Sequence, residues 1–489
     1  GRGPAAADAE AREARLIAVA AIALGAAMLL WPALLNGYPL VFIDSVSYLG
    51  QTLFPEWPWD KTPVYGALLP LFHAGRSLWA LAASGLGIPV AAIAQVLILS
   101  HLLWLTQRGV RGEASAAGHV LLCAGLAALT SAPWFAVTLM PDIFASIGPL
   151  CLLLLGFARD RLSAAETLWL VLLGAVSVAV HLSHLPTAMA LVLFIALAAR
   201  GFAPALRAAL PVAIALGGLV AVNAWAIGRP TLSPHGAVFL LARLQADGPA
   251  ASTIRDHCPA AGWHLCGFVD RLPMDSDAFL WDAQAPPNRT VDGQPIAMGG
   301  MRLAPEAAAI IATTLRERPV EVAEAMVGNA LLQLGRFAVG DTLGNRHLAA
   351  SARRAVTRMP LSELEAFDAG AQMRGALPAL ARPWLTPQVP VVLASLALAL
   401  VALLRAAWRH DRPAAGLLGG MLLAVGVNAF ATGALSAPVD RYQARIVWLV
   451  PLAAALGLAP RFGIGQTDAA RVRARMSAWQ NSSSSSPSS

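Results

Sequence analysis

Charged residues are scarce in this chain: Asp, Glu, Lys and Arg make up 13% of its 489 residues, whereas 57% are hydrophobic. The mean hydropathy is +0.61. A soluble domain of this size would not combine so little charge with such long apolar runs. The composition therefore excludes a soluble protein and predicts a polytopic membrane protein.

Lysine is almost absent, since Lys61 is the only one. Low lysine with abundant alanine, arginine and glycine indicates a GC-rich bacterial genome. The net charge of +7 says little about nucleic acid in a membrane protein, and no nucleic-acid partner is expected. The positions of the arginines matter instead, because cytoplasmic loops are rich in basic residues.

Apolar runs long enough to be candidate spans alternate with arginine-bearing loops, although several runs are short for a hydrocarbon core of about 30 Å. With a cytoplasmic N-terminus, every inner loop carries arginine, as the positive-inside bias requires. The first run is too long for a signal peptide and lacks a small-residue cleavage site, so a retained span is expected. The runs are 15–36, 87–106, 114–134, 143–157, 166–185, 187–200, 208–227, 389–408, 414–434 and 445–460.

This topology divides the chain into four parts. The first outer loop is 37–86, and its apolar stretch 64–82 is expected to lie as a helix at the outer interface, because counting it as a span would reverse all later loops. The parts are an N-terminal membrane module over 1–227, a periplasmic region over 228–388, C-terminal membrane helices over 389–462 and a disordered cytoplasmic tail over 463–489.

The periplasmic region is expected to be mainly helical and rich in loops. Apolar spacing typical of helices occurs near 305–316, 320–338 and 361–380, whereas Pro and Gly interrupt the stretch 268–305.

Cysteine is also rare, and its four copies divide by environment. Cys123 and Cys151 lie inside apolar runs, where buried thiols behave as small hydrophobic groups. Cys258 and Cys266 lie in the periplasmic region. Two flanking histidines make zinc an alternative there, but the spacing matches no standard ligand pattern. An oxidising periplasm favours a disulfide between Cys258 and Cys266.

Polar residues gather at the predicted outer ends of different spans, whereas the span centres are nearly free of ionisable groups. A helical bundle can collect these residues around one cavity. A carboxylate there can accept a proton from an acceptor hydroxyl, while lysine and arginine can neutralise a departing phosphate. Such a set suits group transfer from an anionic lipid carrier. The clusters are Asp44, Ser45 and Tyr48 with Lys61 and Tyr65; Asp142; His181 and His184; and Asp440, Arg441, Tyr442 and Arg445.

Short motifs in these clusters are similar to those of a known superfamily. They are Asp44-Ser45-Val46-Ser47-Tyr48, Lys61-Thr62-Pro63-Val64-Tyr65, Met140-Pro141-Asp142, and Arg441-Tyr442 before an apolar helix with Pro451. The chain resembles the GT-C membrane glycosyltransferases, in the branch of the aminoarabinose–lipid A transferases and protein O-mannosyltransferases. It departs from them at Ser45, where the family often has a second acidic residue, and at Thr62, where it has proline. The resemblance covers mainly the first third and one late span.

The resemblance implies a GT-C-like fold of about ten transmembrane helices with interfacial helices, in the bacterial inner membrane, with an active site facing the periplasm. It implies an inverting glycosyltransferase that moves a sugar from a polyprenyl-phosphate donor to a lipid, glycan or protein acceptor. In that reading Asp44 is the general base and Asp142 its partner, and these carboxylates are the ligands of any Mg²⁺ or Mn²⁺ ion. The implied donor-phosphate contacts are Lys61, Arg441 and Arg445, and the implied substrate contacts are Tyr48, Tyr65, His184 and Tyr442.

Other interpretations of the same residues stay open. Asp142 is also a suitable helix cap, and Arg441 with Arg445 suits an interfacial anchor. His181 and His184 are either catalytic or metal-binding residues or a hydrogen-bonded structural pair. For the whole chain, the alternatives are a lipid-linked glycan flippase or transporter, for which broken helices near the midplane are typical, and a membrane acyltransferase with His181 as its catalytic histidine.

Overall fold

The computed structural model describes residues 4–53, 59–69 and 88–458. These residues are 75% helical and contain no β-strand, which confirms the predicted all-α class. The expected tail over 463–489 and most of the expected interfacial helix, from residue 70 to 82, lie outside the described residues. The helices of the N-terminal module are α1 (Pro4–Leu29), α2 (Trp31–Asn36), α3 (Ser45–Leu53), α4 (Val64–Leu68), α5 (Ile88–Arg111), α6 (Ala116–Leu129), α7 (Ala132–Ala136), α8 (Phe144–Phe157), α9 (Ala164–Ala179), α10 (Leu185–Ala198) and α11 (Phe202–Ile227).

Residues 228–388, called the middle region below, are helical with many short elements. They are followed by two long apolar helices and, within the described residues, two shorter ones. The middle region contains α12 (Ala237–Ala246), α13 (Pro249–His257), α14 (Ser276–Trp281), α15 (Gly299–Glu317), α16 (Pro319–Gly335), α17 (Ala352–Val356), α18 (Leu361–Ala369) and α19 (Leu377–Leu385), and the C-terminal helices are α20 (Gln388–Trp408), α21 (Arg412–Leu435), α22 (Asp440–Val447) and α23 (Leu449–Leu458).

Within the described residues, four helices are long and apolar enough to cross a membrane: Pro89–Arg111, Phe202–Ile227, Leu377–Trp408 and Arg412–Leu435. The chain is therefore a membrane protein in composition and helix length, but the count of about ten spans is not confirmed. Several predicted spans form helices of 14 to 16 residues, such as α6, α8 and α9. A single α-helix needs about 20 residues to cross the hydrocarbon core.

The helices α9 and α10 illustrate why an apolar run gives no single straight span. Ala164–Ala179 and Leu182–Ala198 are apolar enough together but meet at a bend of 114°. His181 between them adopts an extended backbone, with φ −157° and ψ 118°. Pro186 in the first turn of α10 has no N–H to donate, so a helix continuing from α9 could not keep its hydrogen bonds.

Two hydrophobic cores organise the described residues. The larger core joins the membrane helices to the 339–381 part of the middle region, and the smaller core lies between residues 238 and 322. The expected helix over 361–380 is wrong in detail, because α18 ends at Ala369. The backbone N–H groups of Ala371 and Gln372 instead donate to Asn36, over 2.8 Å to its carbonyl and 2.6 Å to its side chain.

The smaller core carries the disulfide. Cys258 and Cys266 are bonded, with Cα atoms 5.3 Å apart, in agreement with the sequence prediction. His257 donates from Nε2 to the Glu317 carboxylate over 3.0 Å, and His264 donates from Nε2 to the Pro286 carbonyl over 2.8 Å, so these flanking histidines have protein partners.

We expect replacement of Cys258 by Ser to lower the free energy of unfolding of this smaller core by about 2–3 kcal/mol, because the bridge closes a short loop in the unfolded chain. Thermal unfolding followed by protease susceptibility of the middle region measures the loss. Cys151→Ser, in the apolar helix α8, is the thiol control. Equal melting of Cys258→Ser and the parent protein, with and without reductant, would contradict the prediction.

Candidate functional site

The candidate site is built on two loops that lie side by side. The Leu139 N–H donates to the Leu40 carbonyl over 2.8 Å, and the Leu40 N–H donates to the Val137 carbonyl over 3.1 Å. These bonds form a short parallel bridge between the segment after α2 and the segment before α8. Asp44 and Asp142, which follow the bridged residues, are thereby held at the same end of the helical bundle.

Buried polar side chains fix the first of these loops. The Ser45 hydroxyl donates to the Leu139 carbonyl over 2.8 Å. Gln372 in the middle region accepts from the Val41 N–H over 3.0 Å and donates to the carbonyls of Val41 and Thr342 over 2.7 and 3.0 Å. Since Gln372 is only 1% exposed, the loop is held by interior hydrogen bonds that water does not replace.

Asp44 lies between two cations. Its Oδ1 is 3.3 Å from the Lys61 Nζ, and its Oδ2 accepts from the Arg441 Nη1 over 3.2 Å. Asp60 is the second partner of Lys61, at 3.1 Å. The Asp44 side chain is 28% exposed, compared with 13% for Lys61 and 9% for Arg441. The carboxylate is therefore the most accessible member of this ion cluster.

The cluster is charged at neutral pH. Burial alone would raise the pKa of the Asp44 carboxyl, but the neighbouring Lys61 and Arg441 outweigh it and lower the pKa below its ordinary value. Burial would lower the pKa of Lys61, but the carboxylates of Asp44 and Asp60 outweigh burial and raise it. Opposite charges at this distance favour both ionised forms.

Arg441 is oriented by contacts on several sides. Its guanidinium carbon lies 4.5 Å from the Phe42 ring centroid and 5.1 Å from that of Tyr442. Its backbone N–H donates to the Asp341 carboxylate over 3.1 Å. The cation–π contacts and the fixed backbone leave the guanidinium aimed at Asp44.

A second ion pair lies deeper. Arg445, one helical turn after Arg441, donates from Nη1 to Asp142 over 2.9 Å, and their side chains are 0% and 3% exposed. The Arg445 Nη2 donates to the Ser183 hydroxyl over 3.0 Å. The two arginines of α22 therefore differ in environment, since one borders the accessible carboxylate and the other is enclosed.

The histidine pair adjoins this buried ion pair. The Ser183 hydroxyl is 2.7 Å from the His181 Nδ1, and the two imidazole rings stack with centroids 5.4 Å apart. His184 donates from Nδ1 to the Ser177 carbonyl over 2.7 Å, which fixes its tautomer. Within the described residues, the His184 Nε2 and the Asp142 Oδ2 have no hydrogen-bond partner.

Two buried tyrosines, Tyr48 and Tyr65, pack beside the ion cluster. Tyr48 and Tyr65 are 1% and 4% exposed and meet edge to face, with centroids 5.0 Å apart. The Tyr65 hydroxyl donates to Gln95 over 2.8 Å. Thr62 donates to the Val180 carbonyl over 2.9 Å, so the Lys61 loop is also tied to the end of α9.

The expected Mg²⁺ or Mn²⁺ ion would need several oxygen ligands at this site. No group of three or more His, Cys, Asp or Glu side chains in the described part of the chain is placed to hold a metal. Asp44 and Asp142 are each bonded to a different arginine rather than facing each other across a shared site. A divalent cation would have to compete with these fixed positive charges, so the described residues do not fit such an ion.

The structure brings the sequence candidates together in two connected groups. Asp44, Lys61 and Arg441 form one, and Asp142 with Arg445 forms the other. Tyr442 lies between them, because both guanidinium groups lie over its ring at 5.1 and 5.3 Å.

Some site residues were not anticipated from the sequence. For two of them the sequence offered a signal, namely a position beside predicted site residues. Asp60 is adjacent to the only lysine, and Ser183 lies between the two histidines. Asp341 and Gln372 carried none, because no motif links them to loops that lie about 100 to 330 residues away in sequence.

Comparison with known proteins adds no family: no protein-family model, curated protein or solved structure matches this chain.

Proposed function

We propose that the protein is an inverting glycosyltransferase of the GT-C type, which moves a sugar from a polyprenyl-phosphate donor to an acceptor at the outer side of the bacterial inner membrane. The proposal includes about ten membrane crossings and a periplasmic location for the ion cluster. One observation carries it: the accessible carboxylate of Asp44 is shared by the chain's only lysine and by Arg441, over 3.3 and 3.2 Å.

A donor phosphate entering this cluster would compete with Asp44 for the same cations. Lys61 and Arg441 would then contact the phosphate, because charge-assisted hydrogen bonds to phosphate oxygens are strong and Arg bonds them bidentately. Withdrawal of these cations would raise the pKa of Asp44, since their charge is what lowers it. Donor binding would thereby convert a weak base into a stronger one.

The proposed chemical step follows once Lys61 and Arg441 have exchanged Asp44 for the donor phosphate. Asp44 accepts the proton of the acceptor hydroxyl as its oxygen bonds to the anomeric carbon, on the side opposite the phosphate. The bond between that carbon and the phosphate oxygen breaks, and its electron pair leaves with the polyprenyl phosphate. Lys61 and Arg441 stabilise the negative charge developing on that oxygen. A single displacement of this kind inverts the anomeric configuration.

The resemblance implies that Arg445 is a donor-phosphate contact, but its environment favours another role. Its side chain is 0% exposed and bonded to Asp142, so we assign it the positioning of α22 rather than a phosphate contact. The ring of Tyr442 transmits this position to Arg441, since it is packed between both guanidinium groups.

The function is tested with protein in proteoliposomes given an undecaprenyl-phosphate-linked radiolabelled pentose or hexose. We expect release of undecaprenyl phosphate and transfer of label to an extract of outer-leaflet lipids and glycans, with the same rate in EDTA and in Mg²⁺. Absence of transfer with every donor and acceptor fraction would overturn the proposal.

We expect Lys61→Met to raise the KM for the donor about 10–100-fold, because it removes one charge-assisted contact worth about 1.5–3 kcal/mol. Lys61→Arg, which keeps the positive charge, is the matched control and should recover part of the affinity. Steady-state kinetics over a range of donor concentrations measures both variants. An unchanged KM in Lys61→Met would remove Lys61 from the phosphate site.

A lipid-linked glycan flippase is the second candidate, and the 114° bend between α9 and α10 favours it. Discontinuous helices line the substrate sites of many transporters. A flippase would move the donor across proteoliposomes without cleaving the sugar–phosphate bond, and Asp44→Asn would not change the chemical identity of the product.

A further inference from the structure

A cleft lies between the middle region and Trp59 of the first outer loop. It has a volume of about 330 Å³, and its lining includes Trp59, Trp281, Asn288, Arg289 and Met298. This volume lies at the lower end of the range for small-molecule sites. Trp59 precedes Asp60 and Lys61 directly in sequence, so the cleft and the ion cluster share one loop.

One tryptophan of the cleft is held rigidly. The ring of Trp59 stacks on Phe239 with centroids 5.5 Å apart and planes 26° apart. A Cβ atom at Gly300 would lie only 2.7 Å from the same ring, so glycine at this position lets the indole lie directly on the backbone. These contacts fix an aromatic surface in the cleft before any ligand binds.

The second tryptophan is accessible. Trp281 lies 5.7 Å from Trp59 between ring centroids, with planes 42° apart, and remains 51% exposed. Met298, on the same cleft, is 56% exposed. Large exposed aromatic and apolar side chains around a concavity are typical of a binding site.

The polar side chains of the cleft are also held in fixed orientations by hydrogen bonds to backbone carbonyls. The Asn288 Nδ2 donates to the carbonyls of Asp282 and Leu280 over 2.8 and 3.3 Å. Arg289 donates to the carbonyls of Ala283 and Gly293, each over 2.9 Å. The lining therefore combines flat aromatic surface with amide and guanidinium groups held in one orientation.

We propose that this cleft binds a pyranose ring of the acceptor glycan, an inference that rests on the proposed function and names its acceptor class. The C–H face of a sugar ring packs on an indole, while its hydroxyl groups need fixed polar partners such as Asn288 and Arg289. The Asn288 side-chain oxygen can accept from sugar hydroxyls and the Arg289 guanidinium has further N–H groups to donate, whereas an acyl chain cannot use either. A folded protein would need an interface of about 1,000 Å² or more.

The shared loop gives the cleft a position suited to this acceptor. Trp59 is two residues from Lys61, whose ammonium contacts the proposed base Asp44. A glycan seated on Trp59 and Trp281 is thus held by the loop that also carries the donor-phosphate contact. The proposed acceptor is therefore an oligosaccharide rather than a single sugar, because one ring would have to bind in the cleft and another would have to reach Asp44.

The test is saturation-transfer NMR of the full chain in lipid nanodiscs, without donor, because maltoside detergents would carry a competing sugar. The probes are maltotetraose, cellotetraose, mannotetraose and chitotetraose. We expect at least one probe to receive saturation and to bind at least tenfold more weakly to Trp281→Ala. Trp408→Ala is the matched control, since Trp408 is 86% exposed at the end of α20, away from the cleft, and its variant should bind as the parent does.

The outcomes separate the two proposals. No saturation transfer from any of the four probes, or unchanged affinity in Trp281→Ala, would overturn the glycan cleft even if sugar transfer occurs. Sugar binding that depends on Trp281, in a protein that releases no polyprenyl phosphate from any donor, would support the cleft and overturn the transferase. Because Trp281 is half exposed, its replacement should not prevent folding, and thermal unfolding of the variant checks this.

Discussion

Asp44→Asn is expected to lower the rate of sugar transfer about 10²–10⁴-fold, the usual contribution of a general base. Donor affinity should stay the same or rise, because the variant removes the negative charge with which a phosphate competes for Lys61 and Arg441. A fall in kcat without a rise in KM is the signature of a group that acts in the transition state. Single-turnover transfer and donor binding, measured on the same preparation, give both quantities.

Asp60→Asn is the matched control for this experiment. Asp60 also contacts Lys61, at 3.1 Å, but makes no ion pair with Arg441 among the described contacts. We expect at most a tenfold loss of rate in this variant. An equal loss in both variants would mean that the charge environment of Lys61, and not a base at Asp44, limits the reaction.

Breaking the buried pair of Asp142 and Arg445 is expected to destabilise the protein by about 3–5 kcal/mol, because Asp142→Asn leaves a guanidinium without a counter-charge in the interior. Reversible unfolding in mixed detergent–SDS micelles measures the free energy. The side chains are 3% and 0% exposed, so solvent cannot compensate for the lost partner.

The double variant Asp142→Leu/Arg445→Met separates structure from catalysis. It removes both charges and should regain most of the stability, since apolar replacement of a buried pair is often neutral. If the pair positions α22, the double variant should bind donor more weakly than the parent although it is folded. Wild-type transfer kinetics in a stable double variant would show that the pair has no part in the site.

The charge pattern allowed much of the site to be predicted from the sequence. Asp44, Lys61 and Arg441 are ionised residues at the ends of apolar runs, and such groups must find partners near a membrane. Their convergence into one cluster followed from placing each run's polar end on the same side. Their catalytic roles stay predictions.

The burial of each side chain could not be predicted from the sequence in the same way. Arg441 and Arg445 are one turn apart and look equivalent on α22, yet only the first borders the accessible carboxylate. Which side of a short helix is enclosed depends on its neighbours, here the segment around Asp142 and the end of α9. The predicted count of about ten spans is not confirmed for a similar reason, since apolar runs do not show where a helix bends, as at His181.

The long-range bonds of the first loop have a consequence for biosynthesis. Tyr38 donates to Glu363 over 2.6 Å, Val41 is held by Gln372, and Asp44 pairs with Arg441. A ribosome makes roughly 5–20 residues per second, so Arg441 is synthesised on the order of 20–80 seconds after Asp44. Until then the ion cluster cannot form, and truncated chains that stop before Arg441 leave Asp44 without this partner.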